Sequence, residues 1–401
     1  MGYESLRHLF YAHPEQWETT YQERFRSPFT RHLPLAIQQF GRPQPHPAFY
    51  CYTEELAVLQ ERIHMSFQSC MTVVRQVPHA AIGQFLQHAL IEEIKSTNDI
   101  EGVRSTRREI LQALDAPPEE RRKFRLGSIV GKYVRILKGG DVPLKDSRDI
   151  RALYDDFIAD EIRHDDPRNL PDGEIFRSGS VDIRSASQKV LHRGVYPEKN
   201  IVETMDQALA FLQDGTMPML IRTVLFHYFF GYIHPFYDGN GRMARFIMSY
   251  LLSREFHPTV ALQLSLRIKQ HRKAYYDLFM TTDDDRNCGD LTPFLLGMMG
   301  FVAGAIAQTR KMLAERRAVY AEKRKRFAAL SIDNKTTRDV GDILLQATVF
   351  SDAGATMRDI CAALRKTETT IRKHIEKLPA GMVRIDKSMR PYRYRFDMGE
   401  L

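Results

Sequence analysis

Residues 234–245 read His-Pro-Phe-Tyr-Asp-Gly-Asn-Gly-Arg-Met-Ala-Arg. They lie between two apolar stretches, 217–233 and 243–252, that have the composition of buried helices. Pro235 disfavours helical backbone at the residue before it, so the first helix is expected to end at His234. The glycine-rich turn then lies at the N-terminus of the second helix. This arrangement predicts a mainly helical fold with a functional turn at its centre.

The side chains of this turn suit phosphate chemistry. Glycines let backbone N–H groups face a ligand, and a helix N-terminus favours an anion, so Gly239, Asn240 and Gly241 form a candidate phosphate cradle. Candidate roles for the neighbouring side chains are a general base for His234, a magnesium ligand for Asp238 and a shared grip on a polyphosphate for Arg242 and Arg245. Each residue alone also has a structural interpretation as a capped histidine, a turn or a solvated helix face. Together they predict nucleotide chemistry with a hydroxyl nucleophile.

The complete run from His234 to Arg245 resembles the active-site motif of the Fic family. The resemblance implies an all-helical core with a small β-hairpin flap, and AMPylation, the transfer of AMP from ATP to a protein hydroxyl. It implies that His234 is the base, Asp238 the Mg²⁺ ligand, residues 239–241 the anion hole, Arg242 a phosphate contact and Arg245 the γ-phosphate contact. Family members that phosphorylate carry lysine at the position of Gly241, so glycine favours AMP transfer. The likeness covers about residues 50–310 in layout.

A second likeness is carried by Thr97, Glu101 and Gly102, which resemble the family's inhibitory motif. The resemblance implies that Glu101 pairs with Arg245. Two anions, the Glu101 carboxylate and a γ-phosphate, would compete for one guanidinium. The alternative is that these residues only finish a helix from about residue 79 to residue 102.

Residues 176–197 contain two short runs with β propensity, separated by polar residues. They form either a surface loop or the flap, and the family resemblance favours a flap whose edge holds a target segment by strand addition. The candidate target-binding residues are Val181, Asp182, Ile183, Val190, Leu191 and His192.

A tyrosine pair, Tyr275 and Tyr276, follows the motif helices. Fic proteins often have such a pair near the adenine pocket, so both residues are candidate nucleotide contacts. The alternative is that the two rings only pack against the core.

The C-terminal residues 331–401 predict three helices followed by a basic hairpin, which resembles a winged helix-turn-helix. Such a domain either binds duplex DNA or docks a protein, and both uses stay open. If it binds DNA, a recognition helix and a wing would supply the contacts. The candidate nucleic-acid residues are Thr369, Thr370, Arg372, Lys373, Lys387 and Arg390.

Composition sets the wider expectations. A formal net charge of +8 favours an acidic partner, and 43% hydrophobic residues allow a sizeable core. The four cysteines form no CxxC pair, and the chain shows no secretory signal or run of eighteen apolar residues. These features predict a cytoplasmic protein with no membrane contact. The expected domains are an N-terminal extension (1–50), defined by composition alone, a catalytic domain (51–330) and the C-terminal domain (331–401).

The sequence therefore predicts a protein adenylyltransferase that uses ATP and Mg²⁺, is restrained by Glu101, and modifies a Ser, Thr or Tyr of a target protein, with the chain itself among the candidates. Two alternatives remain: an enzyme that removes AMP, with Glu101 orienting a water, and a DNA-bound regulator whose core senses nucleotide. The oligomeric state is open, with a homodimer as one option.

Overall fold

Helices dominate the structure, a computed structural model that describes residues 2–184, 187–397 and 399. The N-terminal segment folds into two helices and an antiparallel hairpin. Its elements are α1 (Leu6–Ala12), α2 (Pro14–Arg26), β1 (Thr30–Ile37) and β2 (His46–Cys51).

The central part is a helical body with one inserted hairpin, β3–β4. Its first elements are α3 (Glu54–Arg75), α4 (His79–Ile100), α5 (Arg107–Asp115), α6 (Gly127–Leu137), α7 (Ser147–Phe157), α8 (Ala159–Asp165), β3 (Asp182–Arg184) and β4 (Val190–Arg193). The later ones are α9 (Glu198–Gln213), α10 (Met219–Ile233), α11 (Asn240–Glu255), α12 (Pro258–Ala261), α13 (Leu264–Gln270), α14 (Arg272–Thr282) and α15 (Thr292–Ala328). Short 3₁₀ turns lie at Arg121–Lys123, Pro167–Asn169 and Asp285–Asn287.

The C-terminal part combines three helices with a three-stranded sheet. In chain order it comprises α16 (Lys335–Phe350), β5 (Ala355–Thr356), α17 (Met357–Leu364), α18 (Glu368–Ile375), β6 (Val383–Asp386) and β7 (Arg393–Phe396). The sheet order is β5-β7-β6, with β7 antiparallel to both neighbours. The sequence had predicted the helices and the hairpin, but not the two-residue strand β5.

Helix α10 is the centre of the body. Its residues are apolar or aromatic almost all round, and a helix of that composition is buried on every side. It packs between α9 and α11, so the turn that joins α10 to α11 is held from both ends by the core. The mainly helical fold and the small inserted hairpin predicted from the sequence are confirmed.

The first 50 residues are folded onto this body, which composition alone did not predict. Tyr3 donates a hydrogen bond from its hydroxyl to Asp290 Oδ2 (2.7 Å), and the Trp17 indole donates to the Arg286 carbonyl (2.9 Å). The backbone N–H of Gln38 donates to the hydroxyl of Tyr232 in α10 (2.9 Å). The N-terminal hairpin is thereby fixed next to the helix that leads into the central turn.

Helix α15 is long and apolar enough, by length and composition, to cross a membrane, and it is the one such helix in the described part of the chain. Half of its most apolar window is buried inside the molecule. The core helix of a globular protein meets the same criterion, and α15 packs against α3, α14 and α16.

The C-terminal part is seated on the helices that flank Glu101. Helix α16 packs against α4. A buried ion pair joins Arg393 Nη2 to the Asp115 carboxylate at the end of α5 (2.6 Å), and Arg108 donates to the carbonyl of Ser388 in the β6–β7 loop (2.8 Å). The loop that would form a wing is therefore in contact with α5.

Candidate active site

The central turn begins where α10 ends, at a histidine with a left-handed backbone. His234 has φ 53° and ψ 60°, a conformation that is uncommon for a residue with a side chain. Its N–H still bonds the carbonyl of Phe230 (3.0 Å), and its own carbonyl accepts a hydrogen bond from Arg177 (2.9 Å). Tertiary contacts therefore hold a backbone geometry that the residue alone would rarely adopt.

The rest of the turn is fixed by Asn240. Its side-chain Oδ1 accepts from the N–H of Phe236 (3.0 Å), and its Nδ2 donates to the carbonyl of the same residue (2.8 Å). Gly239, with φ of 85°, supplies the left-handed residue that starts α11. The Asn240 side chain thus stabilises the turn, and anion binding by the backbone at the start of α11 stays a prediction.

His234 lines a cavity of about 560 Å³. Its Nδ1 lies 3.3 Å from the Gly231 carbonyl, which can only accept, so Nδ1 carries the proton and Nε2 has a free lone pair. Burial, together with the nearby His192 and Arg177, lowers the pKa of His234 to about 4. The imidazole is therefore neutral near pH 7, as a general base must be.

The predicted partner of Arg245 is in place. Arg245 Nη2 lies 2.6 Å from Glu101 Oε1, and its Nε donates to Thr97 Oγ1 (2.8 Å). Burial acts to raise the pKa of Glu101, but Arg245 and the other cations around it hold that pKa below its usual range. Glu101 is therefore a carboxylate, and it occupies the guanidinium of Arg245.

Because Gly241 has no side chain, the Glu101 carboxylate can lie close to the backbone of the turn. A Cβ at position 241 would lie 2.0 Å from Glu101 Oε1 and 3.1 Å from Arg245 Nη1. The carboxylate therefore lies directly over the backbone of the predicted anion hole. Gly102, also predicted for the inhibitory motif, has φ of 75° and forms the turn after α4.

Arg242, which was predicted to contact phosphate, is paired with a glutamate within the protein. Its Nη1 lies 3.0 Å from Glu161 Oε2 in α8, and both side chains are only 2% exposed. Asp238 Oδ1 lies 3.7 Å from Arg242 Nη2, and the Asp238 side chain is 47% exposed. Arg242 therefore links α8 to the turn, while Asp238 offers an accessible carboxylate.

The predicted flap residues lie on the two strands of the β3–β4 hairpin or directly before them. Ile183 and Leu191 line the same cavity as His234. Val181 precedes β3 and accepts, through its carbonyl, from the N–H of Gly194 (3.0 Å), while Asp182 pairs with Arg193 (2.7 Å). Val190 lies opposite Arg184 across the hairpin.

His192 also lines the cavity, but its ring is held by contacts within the protein. Its side chain is buried, its Nε2 lies 2.6 Å from the Tyr232 carbonyl, and its Nδ1 lies 3.5 Å from Asp283 Oδ2. It anchors the flap to α10, so only its backbone remains for strand addition.

Both tyrosines line the cavity, in different ways. Tyr275 is buried, with its hydroxyl 2.9 Å from His227 Nε2. Tyr276 is 38% exposed and lies under Arg272, whose Cζ is 5.6 Å from the ring centroid. Tyr276 is therefore the more accessible ring of the pair.

The six predicted nucleic-acid residues lie in the C-terminal part and do not line this cavity. Thr369 and Lys373 are exposed on α18, and Lys387 is exposed in the β6–β7 loop. Thr370 is partly buried and hydrogen-bonds Thr367 at the start of α18. The other two are engaged within the chain: Arg372 with Glu368 and Arg390 with the ring of Tyr392.

Two residues of the site were missed by sequence reasoning. Arg177 is fully buried and bonds the backbone of His234, and Glu161 is the partner of Arg242. Neither carries a periodic or motif signal, because each reaches the turn through tertiary folding. The nearest local signal is the apolar pair Ile175-Phe176 directly before Arg177, which is typical of a buried segment.

Comparison with known proteins agrees with this geometry. Residues 144–252, which include the flap and the turn, match the Fic/DOC family. This part of the chain is therefore a Fic domain.

Named relatives match the same part of the chain. A protein adenylyltransferase Fic of Aedes aegypti is 44% identical over 69 residues, 17% of this chain and 12% of that protein. A protein adenylyltransferase Fic of Drosophila melanogaster is 39% identical over 95 residues, 24% of this chain and 18% of that protein. The chain thus spans less than a fifth of the length of these curated relatives.

One solved structure resembles the chain over most of its length. The crystal structure of a Fic family protein from Desulfovibrio desulfuricans G20 covers 87% of this chain and 98% of its own, with 22% identity and a TM-score of 0.52. At that identity the likeness concerns the fold alone.

Proposed function

We propose that this chain is a protein adenylyltransferase that transfers AMP from ATP to a Ser, Thr or Tyr hydroxyl of a protein, with itself as a possible substrate. The observation that carries the proposal is a neutral histidine, a helix N-terminus with a glycine cradle and a buried arginine around one cavity. Its relatives over the Fic segment are named adenylyltransferases.

In the proposed reaction, a target hydroxyl replaces pyrophosphate on the α-phosphorus of ATP. The Nε2 atom of His234 accepts the proton of the target hydroxyl, whose oxygen attacks the α-phosphorus of ATP. A bond forms between that oxygen and the α-phosphorus, the bond from the α-phosphorus to the α,β-bridging oxygen breaks, and pyrophosphate leaves. The amides at the start of α11 and the guanidinium of Arg245 bind the phosphate oxygens, so positioning and charge neutralisation carry most of the rate enhancement.

Asp238 is the residue that would hold Mg²⁺. Among the described residues, no three or more His, Cys, Asp and Glu side chains gather into a metal site. A single half-exposed carboxylate at the phosphate cradle fits Mg²⁺, which usually binds one or two carboxylates together with phosphates. When bound, Mg²⁺ would neutralise phosphate charge.

Glu101 is proposed to restrain this activity. Its carboxylate lies on Arg245 and over Gly241, where the phosphates of ATP would bind. The two anions compete for the same donors, so ATP binds productively only when the carboxylate leaves.

The alternative activity, removal of AMP from a modified protein, uses the same cavity. It is supported by the presence of both Glu101 and His234 in the lining, where a carboxylate could orient a water. A third possibility is that the domain only senses nucleotide, which needs no base.

Labelled ATP distinguishes these activities in a Glu101→Gly chain, from which the proposed restraint has been removed. We expect label on protein from α-labelled ATP and none from γ-labelled ATP. His234→Ala should slow the transfer by about 10²–10⁴-fold and leave ATP binding largely intact. Nucleotide binding without transfer, or release of AMP from a modified protein as the sole reaction, would refute the proposal.

A DNA-binding role is proposed for the C-terminal part. It is supported by its arrangement of α16, β5, α17, α18 and the β6–β7 hairpin, which resembles a winged helix, and by the exposed cations Lys373 and Lys387. Cations on such a surface bind phosphates in a salt-dependent manner.

A further inference from the structure

Arg177 lies just before the flap and is fully buried. Its guanidinium donates to three carbonyls: Nε to His234 (2.9 Å), Nη1 to Gly179 (2.5 Å) and Nη2 to Val195 (2.7 Å). Gly179 precedes β3 and Val195 follows β4. One side chain thus joins both ends of the flap to the backbone of the candidate base.

We propose that Arg177 is a positioning residue for the proposed transfer. It fixes the left-handed backbone of His234 against the flap, and its charge disfavours protonation of the imidazole. The proposal rests on the proposed function for its effect on rate, but its effect on His234 is independent of any activity.

Within the described part of the chain, the charge of Arg177 is not balanced by a carboxylate. Among the residues that the structure describes, no Asp or Glu oxygen lies within ion-pair distance of this guanidinium, and burial lowers its pKa to about 10. A buried cation without a carboxylate partner is costly, and three carbonyl dipoles compensate it only in part. Its positive charge lowers the pKa of the neighbouring His234 imidazole, after the larger effects of burial and His192.

The other charges that face His234 act in both directions. His192 on β4 disfavours the imidazolium, while Glu101, after α4, favours it. Asp283, which follows α14, lies next to His192. Arg177 and His192 therefore oppose Glu101, and loss of the Arg177 charge should raise the pKa of His234.

Gly194 offers an independent way to disturb the same contact. A Cβ at this position would lie 2.5 Å from Arg177 Nη2, 3.0 Å from His234 Cβ and 3.2 Å from the Ile233 carbonyl. Gly194→Ala should therefore displace the guanidinium without removing its charge.

Arg222 provides the matched control. It also donates to two backbone carbonyls, those of Leu212 (2.5 Å) and Met217 (3.0 Å), but neither of these residues belongs to the flap or to the central turn. A purely structural role for a carbonyl-bonding arginine would give Arg177 and Arg222 substitutions the same consequences.

The experiment compares Arg177→Lys, Arg177→Met, Gly194→Ala and Arg222→Met in a Glu101→Gly chain. We expect Arg177→Lys and Gly194→Ala to lower kcat by about 10²-fold, as a misplaced catalytic group does, with KM for ATP nearly unchanged. Arg177→Met should in addition shift the acidic limb of the pH–rate profile to higher pH. Arg222→Met should change neither kcat nor the profile.

An NMR titration of His234 gives a readout that needs no activity. We expect its pKa to be higher in Arg177→Met than in the parent chain, and unchanged in Arg177→Lys and Arg222→Met. An unchanged pKa in folded Arg177→Met would overturn the electrostatic role. If Arg177→Met fails to fold, unchanged kcat in both Arg177→Lys and Gly194→Ala would overturn the positioning role. An inactive Glu101→Gly parent with the expected NMR shift would contradict the proposed function and leave the role of Arg177 supported.

Discussion

His234 shows how strongly the site depends on its surroundings at the scale of one residue. Its sequence context predicted the end of α10, because Pro235 follows it, and this end is confirmed. The left-handed backbone and the low pKa could not be predicted, since they come from burial in the folded protein and from residues distant in sequence, His192 and Arg177. Local patterns identify the chemical group, whereas its protonation state depends on the tertiary structure.

The low pKa of His234 leads to a pH prediction. A base with a pKa of about 4 is neutral above about pH 5, and it loses its function only as protonation begins below that pH. As far as the protonation of His234 determines it, the rate of AMP transfer should therefore be constant from about pH 6 to pH 8 and fall as the pH approaches 4. Initial rates with the Glu101→Gly chain over this range, with stability checked at each pH, measure it; because this substitution removes a carboxylate that favours the imidazolium, the fall in rate should come at no higher pH than in the unmodified chain. A fall in the rate centred near the ordinary histidine pKa of about 6.5 would contradict this prediction.

At the scale of elements, two glutamates form ion pairs with the two arginines in the N-terminal half of α11. Glu161 from α8 pairs with Arg242 inside the protein, and Glu101 after α4 pairs with Arg245 at the cavity. The second pair was predicted from the sequence because it resembles a known motif. The first was not, since no spacing in the sequence links α8 to α11. The two pairs also differ in burial, with Glu161 2% and Glu101 29% exposed.

This difference predicts that Glu161 is mainly structural. Glu161→Ala leaves Arg242 buried without its partner, which should lower the free energy of unfolding by about 3–5 kcal/mol. Asp160→Ala, at the neighbouring exposed position, should change it by about 0.5 kcal/mol or less. Urea denaturation of both variants gives the comparison. Equal, small losses would show that Arg242 is not held by this ion pair.

At the scale of the whole molecule, the C-terminal part contacts the helices on both sides of Glu101. Helix α16 lies on α4, and Arg393 pairs with Asp115 at the end of α5. The sequence predicted the helices and hairpin of this part from their own periodicity and turns. The sequence did not predict how this part packs against the catalytic domain, or how the first 50 residues pack. Both depend on complementary surfaces that no local sequence pattern encodes.

The DNA-binding proposal is tested on the full chain. If Lys373 and Lys387 meet phosphates, affinity for duplex DNA should fall steeply as salt rises, and the double substitution to alanine should weaken binding and flatten the salt slope by about two. Lys123→Ala, an exposed lysine of the catalytic domain, is the control and should have no effect. Fluorescence anisotropy with random and genomic duplexes measures the affinities. Absence of binding at low salt would favour a protein-docking role.

The central claim is that Glu101 restrains an AMP-transferring site, and its most direct test is the rate of transfer from α-labelled ATP by the Glu101→Gly chain. We expect at least about a tenfold rise over the parent, equivalent to about 1.4 kcal/mol in barrier, because Arg245 becomes free for the γ-phosphate. Asp99→Asn, which removes a charge two residues away that pairs with Lys95 and Lys269, should leave the rate unchanged. Arg245→Ala should cancel the gain. An unchanged rate in a folded Glu101→Gly chain would contradict the account, and loss of a measurable AMP-removing activity would instead assign Glu101 to the reverse chemistry.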